Sequence, residues 1–325
     1  MKVLLIGAGV IGSFYAANLA NGGADVTLLA RGRRLAEVRE HGVVLESAFG
    51  GRRTVTLVPV TDRLGPADRY DLAIVVVRRN QIGSVLALLA ADQQIPSVLF
   101  LGNNAGGEED IIEALGRQRV LIGFVNAGGE RRGHVVRYIA SRRIPLRIGE
   151  LDGGPTPRTR AITGLFARAG IKVRLTANMD AYLKTHAAGV APVAGALYRC
   201  GGDVRRLARD RAVLRLYVRS YREALRGLRR TGVPVTPRST RLMEWIPEPV
   251  LLVAWRLFLN SRLADIGLQA HGNAAPDEMK ELADELRAIM DRAGLPHPAS
   301  DILFADVDAR FERACQPPSP AAQQA

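Results

Sequence analysis

Lysine is almost missing from this chain: Lys2, Lys172, Lys184 and Lys280 are the only four in 325 residues, so nearly all of the +13 net charge comes from arginine. Such a balance raises the question of nucleic acid or an acidic membrane surface. The arginines are scattered along the sequence, however, and aromatic residues make up only 5%. A single-strand binder needs aromatic stacking platforms, and no nucleic-acid motif is present, so no nucleic-acid partner is expected. Cysteine is scarce as well. Cys200 and Cys315 stand far apart and outside any metal spacing, which argues against a disulfide framework or a metal site and fits a reducing cytoplasm. Long apolar runs are lacking too: the stretch 250–259 is interrupted by Arg256 and is too short to span a bilayer, so no membrane segment is expected. What remains, 47% hydrophobic and 24% charged residues, is an ordinary globular composition long enough for two domains.

The most informative stretch is the first, Met1 to Arg34. Val3, Leu4, Leu5 and Ile6 form a short apolar strand, and Gly7, Gly9 and Gly12 follow in G-x-G-x-x-G spacing before a helix of small residues. A second strand, 25–30, closes a βαβ unit. In that context the first glycine permits the tight turn, the second lets the backbone approach a pyrophosphate, and the third lets helix and strand pack closely. Gly7, Ala8, Gly9, Val10, Ile11 and Gly12 are therefore expected to hold a dinucleotide. Since this motif starts at residue 1, no leader is expected before it.

The end of the second strand selects the cofactor, because an NAD site places an acid there and an NADP site places positive charge. This chain has Ala30, Arg31, Gly32, Arg33 and Arg34, and no carboxylate before Glu37. NADPH is the expected cofactor, with Arg31 on the 2′-phosphate and Arg33 or Arg34 assisting.

Further along, 71–77, 97–101 and 120–125 are continuous apolar runs of the kind buried parallel strands require. They end at Arg78, Asn103 and Ala127, which should border one crevice beyond the carboxyl ends of the strands. The region 43–60 predicts a hairpin turning at Gly50 and Gly51, while 134–139 and 145–149 alternate as though paired in a second hairpin. From Asn178 the pattern is helical. The fold expected is α/β: a Rossmann-type domain over 1–176, an all-helical domain over 177–315, and a disordered tail over 316–325. The apolar helix 249–259 would either pair two subunits, giving a homodimer, or fill the second domain's core.

These motifs together, GAGVIGSFYA, LLARGRR, VVVRRNQ, GNNAGGEE, AYLKTHAAGVAP and APDEMKELADEL, make the chain resemble the ketopantoate reductase (2-dehydropantoate 2-reductase) family up to about Leu303. The resemblance implies a Rossmann domain followed by a helical one, with NADPH and a small carbonyl substrate in the cleft between them. It also implies that Lys184 is the catalytic lysine, that Glu278 is the active-site glutamate and that Asn103 is the strand-end asparagine. Arg78 takes the place of a usual lysine. On spacing alone, Lys184 would be half of a solvated i, i+4 pair with Asp180, and Glu278 would be a first-turn acid favoured by the helix dipole. His186, within an apolar stripe, reads as a core histidine. Ala188 and Ala191 beside Lys184 would leave space for a ligand. Two departures bear on the substrate: Ala188 stands where the family commonly has Asn, and no serine lies about a dozen residues before Glu278. The expected activity is NADPH-dependent reduction of a 2-oxo acid or related carbonyl. The alternatives are the same chemistry on an imine or another ketone, and a non-catalytic NADP sensor.

Overall fold

The structure is a computed structural model and describes residues 1–140 and 144–316. It divides into two compact units, Met1–Leu183 and Lys184–Ala325. The division falls inside a helix and somewhat beyond the boundary expected at 176. Apart from Gln316, the tail expected over 316–325 lies outside the described residues.

In the first unit β1 (Lys2–Ile6), α1 (Val10–Asn21), β2 (Asp25–Leu29), α2 (Gly32–His41), β3 (Val43–Ser47), β4 (Arg53–Thr56), β5 (Val60–Thr61) and β6 (Leu72–Val75) follow one another. Then come α3 (Ile82–Ala91), β7 (Val98–Leu101), α4 (Glu109–Leu115), β8 (Val120–Phe124), β9 (Ala127–Arg132), β10 (Val135–Ala140), β11 (Leu146–Glu150), α5 (Pro157–Arg168) and β12 (Val173–Leu175). Eight strands form one sheet in the order β12-β11-β8-β7-β6-β1-β2-β5. All neighbours in it are parallel except β8 and β11. The chain runs outward from β1 first toward β2 and then, after crossing over, toward β6, so the strand order reverses at β1. That is the position at which open parallel sheets bind ligands.

Both faces of this sheet are covered, which is why its strands read as unbroken apolar runs. Val3 and Leu5 join one core with Phe14, Tyr15, Ile162 and Phe166. Leu4 and Ile6 join the other with Val85, Leu89 and Ile111. A second sheet, β4-β3-β10-β9, belongs to the first of these cores through Val43, Leu45 and Val136. Helix α1 thus lies between two sheets, with the Phe14 and Tyr138 rings 5.0 Å apart. Ala16 and Ala17 are fully buried, so small residues are what this layer admits.

The β3–β4 hairpin forms as expected, with φ of +87° and +65° at Gly50 and Gly51. The second expected hairpin does not. Strand β10 pairs with β9 and, in parallel, with β3, whereas β11 joins the large sheet beside β8 and β12. Alternation of polar and apolar residues reveals a strand without revealing its partner.

In the second unit α6 (Met179–Arg199), which starts in the first, is followed by α7 (Val204–Arg209), α8 (Arg211–Arg230), α9 (Leu242–Trp245), α10 (Glu248–Leu259), α11 (Arg262–Ala264), α12 (His271–Ala274), α13 (Pro276–Ala293) and α14 (Pro298–Cys315). Asn178 caps α6 by accepting the Ala181 N–H at 2.8 Å. The core gathers Leu197, Leu214, Tyr217, Leu252 and Leu303, with Trp255 perpendicular to Tyr217 at 4.7 Å. A π-helical segment, Asp265–Ala270, links α11 and α12. Among the described residues no helix is long and apolar enough to cross a membrane, and no cluster of His, Cys, Asp and Glu is arranged for a metal ion.

Candidate functional site

The glycine-rich turn between β1 and α1 has the shape its spacing predicts. Gly7 has φ +106°, and a Cβ there would lie 2.4 Å from the Val76 carbonyl oxygen. A Cβ on Gly12 would lie 1.7 Å from the Gly7 carbonyl oxygen. Both positions exclude a side chain because backbone already fills the space. Gly9 is the opposite case: it is exposed, and a Cβ there would meet nothing within 4 Å. The chain therefore leaves an open approach above Gly9, where a phosphate would sit. Gly9 is also the N-cap of α1, provides no side-chain cap, and is followed by no acid in the first turn. The first N–H groups of α1 and the positive end of its dipole are thus left to an anion. Ala8 is buried, whereas Val10 and Ile11 are partly exposed.

Parallel register carries the other strand ends to the same edge of the sheet: Ile6 aligns with Val75, Val75 with Phe100, and Leu101 with Gly123. Arg78, Asn103 and Ala127 lie two or three residues beyond these ends, and Ala127 is the first residue of β9. Ala127 is held through its neighbour, since the buried Tyr15 hydroxyl donates to Asn126 Oδ1 at 2.9 Å and accepts the Asn126 N–H at 3.3 Å. Asn104 is buried and closes the loop after β7 by donating to the Gly107 carbonyl at 2.6 Å. A cavity of about 20 Å³ beside Val77, Gly102, Asn103 and Leu183 has room for no more than one water.

At the end of β2 the three arginines part company. Arg31 is exposed, in extended conformation at the N-cap of α2. Arg33 Nε donates to Glu37 Oε1 at 2.9 Å. Arg34 turns inward and is buried, so its expected role beside the 2′-phosphate is corrected: its guanidinium binds Ala8, Ser13, Glu37 and His134 within the protein. Burial lowers the Arg34 pKa against the opposing effect of Glu37. Glu37 is raised by burial but lowered more by hydrogen bonds from Arg34 and Arg33 and by the Arg131 charge, and stays below the ordinary carboxylate value. The first acid after β2 is therefore committed to arginines of its own chain.

In the second unit Lys184 is partly exposed on α6. Ala188 and Ala191, expected to leave space beside it, have no exposed surface, so that face is packed. Glu278 is buried in the first turn of α13, where Met279, Leu282, Leu286, Ile289 and Met290 form the expected inner stripe. His271 Nε2 stands 3.6 Å from Glu278 Oε2. His186 is hemmed in enough that burial, followed by the charge of His271, lowers its pKa to about 4 and keeps the imidazole neutral. His271 had no signal in the sequence, because it meets Glu278 only through the turn that joins α12 to α13.

Known proteins share sequence and fold with this chain. The family model described as ketopantoate reductase PanE/ApbA matches residues 3–153. The 2-dehydropantoate 2-reductase of Pyrococcus horikoshii is 30% identical over 181 residues, 55% of this chain and 57% of that protein. The chain spans 57–59% of the length of the curated relatives it matches first. Among solved structures, a PanE/ApbA family ketopantoate reductase from Ralstonia eutropha superposes with a TM-score of 0.75 at 23% identity, covering 97% of this chain and 100% of the other. A D-mandelate dehydrogenase in a ternary structure with NADH and anilino(oxo)acetate gives 0.78 at 17% identity, covering 96% and 99%. The resemblance read from the motifs is thus matched over residues 3–153, and the shared fold extends over nearly the whole chain.

Proposed function

We infer that this chain, similar over residues 3–153 to the ketopantoate reductases, is an NADPH-dependent reductase of a 2-oxo acid or related carbonyl compound. The observation that supports it most is the pairing of an open cradle above Gly9 with an exposed Arg31 whose next acid along the chain, Glu37, is already engaged. Gly7–Gly12 fit a pyrophosphate and Arg31 fits a 2′-phosphate. Arg78 and Ala127, which follow β6 and β8 on either side of β7, belong to the same cofactor site. The D-mandelate dehydrogenase neighbour, bound to NADH and an oxo acid, supports both a dinucleotide and the substrate class.

When bound, the dinucleotide supplies a hydride to the carbonyl carbon. Lys184 stabilises the negative charge developing on the carbonyl oxygen and delivers the proton. Asn103 orients the nicotinamide or substrate, and Glu278 holds a substrate hydroxyl or the cofactor ribose. A second reading, an imine or another ketone as substrate, is favoured by Ala188, which offers no side-chain hydrogen bond. The same proposal includes a homodimer and a cytoplasmic setting.

The test is NADPH oxidation measured against a panel of 2-oxo acids, with Lys184→Ala beside the wild type. Preorganised groups of this kind contribute about 10² to 10³ in rate, so Lys184→Ala should lose turnover by that factor and retain NADPH binding. An active Lys184→Ala enzyme on its true substrate would overturn the role of Lys184. A wild type that binds NADPH and turns over no carbonyl or imine would favour the sensor.

A further inference from the structure

The Arg34 side chain has an unusual set of partners for a residue that follows a cofactor-selecting strand. Its Nε donates to the Ala8 carbonyl at 2.9 Å, one terminal nitrogen donates to Ser13 Oγ at 2.9 Å, and the other reaches Glu37 Oε2 and the His134 carbonyl, each at 3.2 Å. Ser13 Oγ in turn donates to the same Ala8 carbonyl at 3.2 Å. One carbonyl inside the glycine-rich turn therefore receives two donors, one of them charged. A guanidinium is suited to this because its donors are fixed in a planar fork.

The consequence follows from peptide geometry. In a planar trans peptide the carbonyl and the next N–H point in opposite directions. Fixing the Ala8 oxygen toward buried Arg34 and Ser13 turns the Gly9 N–H away from them, at a residue that is itself exposed. We propose that Arg34 is a positioning residue for dinucleotide binding, which aims the Gly9 N–H at the pyrophosphate by holding the Ala8 carbonyl inward. This rests on the dinucleotide reading above and gives Arg34 a task distinct from that of Arg31. Arg31 would discriminate NADPH from NADH, whereas Arg34 would serve the part that both share.

The test measures dissociation constants of NADPH, NADH and adenosine 2′-monophosphate, which lacks the pyrophosphate, for the wild type, Arg34→Met and Ser13→Ala. Thermal unfolding of each variant identifies the temperature at which it is folded. Hydrogen bonds to charged groups are worth enough that Arg34→Met should weaken NADPH and NADH by about tenfold or more and by the same factor, leaving adenosine 2′-monophosphate unchanged. Ser13→Ala, which removes one of the two donors to Ala8 and keeps the charge, should show the same pattern at roughly threefold. Arg34→Lys, able to reach only some of these acceptors, should fall between Arg34→Met and wild type. Loss of NADPH alone would make Arg34 a 2′-phosphate contact and overturn the proposal. Equal loss of all three ligands would show a general structural effect and overturn it too. A folded Ser13→Ala with wild-type affinities overturns it even where Arg34→Met fails to fold. A wild type that binds neither dinucleotide removes the cofactor reading and the positioning role together, whereas a binding wild type with unaffected variants removes only the latter.

Discussion

Gly9 and Gly12 share one motif and should respond to alanine for opposite reasons. Gly9 has φ −71° and ψ −161°, which any residue adopts, and a Cβ there touches no protein atom. Gly9→Ala should therefore unfold at the wild-type temperature while losing about tenfold or more in NADPH affinity, because the methyl group occupies the phosphate approach. Gly12→Ala puts a Cβ 1.7 Å from a backbone oxygen that no side-chain rotation can move. It should cost at least about 3 kcal/mol in denaturant unfolding, as overpacking against fixed backbone does. Arg31 completes the residue scale. Arg31→Ala should raise the NADPH dissociation constant roughly 10- to 100-fold, the worth of a charge-assisted contact, and leave NADH nearly unchanged. Equal effects on the two cofactors in a titration would place the 2′-phosphate elsewhere.

At the scale of one element, α6 supplies both Lys184 and His186. Burial, followed by the charge of His271, lowers the His186 pKa from 6.5 to about 4, so the folded chain takes up this proton later than the unfolded chain does. Stability from this group is full above about pH 6.5 and is lost as the pH falls toward 4, because the unfolded state then binds more protons. At about 1.4 kcal/mol per pKa unit the loss is on the order of 3 kcal/mol. Melting temperatures of the wild type between pH 7 and pH 4.5 should drop more steeply than those of His186→Gln. Parallel curves would show that His186 does not govern acid stability. The same helix shows where spacing misled. Ala188 and Ala191 lie on the side of Lys184 as helical periodicity requires, but they are sealed rather than open. Periodicity determines which residues share a face and says nothing about what covers it.

For the whole molecule the prediction concerns α10. Val250, Val253 and Leu257 stand three and four residues apart and are 56%, 60% and 70% exposed, with Trp245 at 79% close by in sequence. We propose that this apolar stripe is an association site whose occupant is a second copy of the chain. Light scattering should give twice the 35.1 kDa chain mass, and Leu257→Asp should return the monomer. A monomeric wild type at tens of micromolar would refute the dimer.

Local rules were enough to read much of this protein. The strand–glycine–helix unit, the buried parallel strands, the Asn178 cap, the inner stripe of α13 and the missing acid at the end of β2 each depend on neighbours within a few residues. Such features are legible because backbone geometry and side-chain period act over a few residues. Tertiary structure alone decided the rest. It joined β10 to β3 and β11 to β8, and sent Arg34 into the glycine-rich turn while Arg31, in the same arginine-rich segment, stayed in solvent. Each of these depends on which distant surface fills the space beside a residue. A guanidinium's destination is set by the buried acceptors it can reach, and Ala8 and His134 lie far from each other in the first unit's sequence.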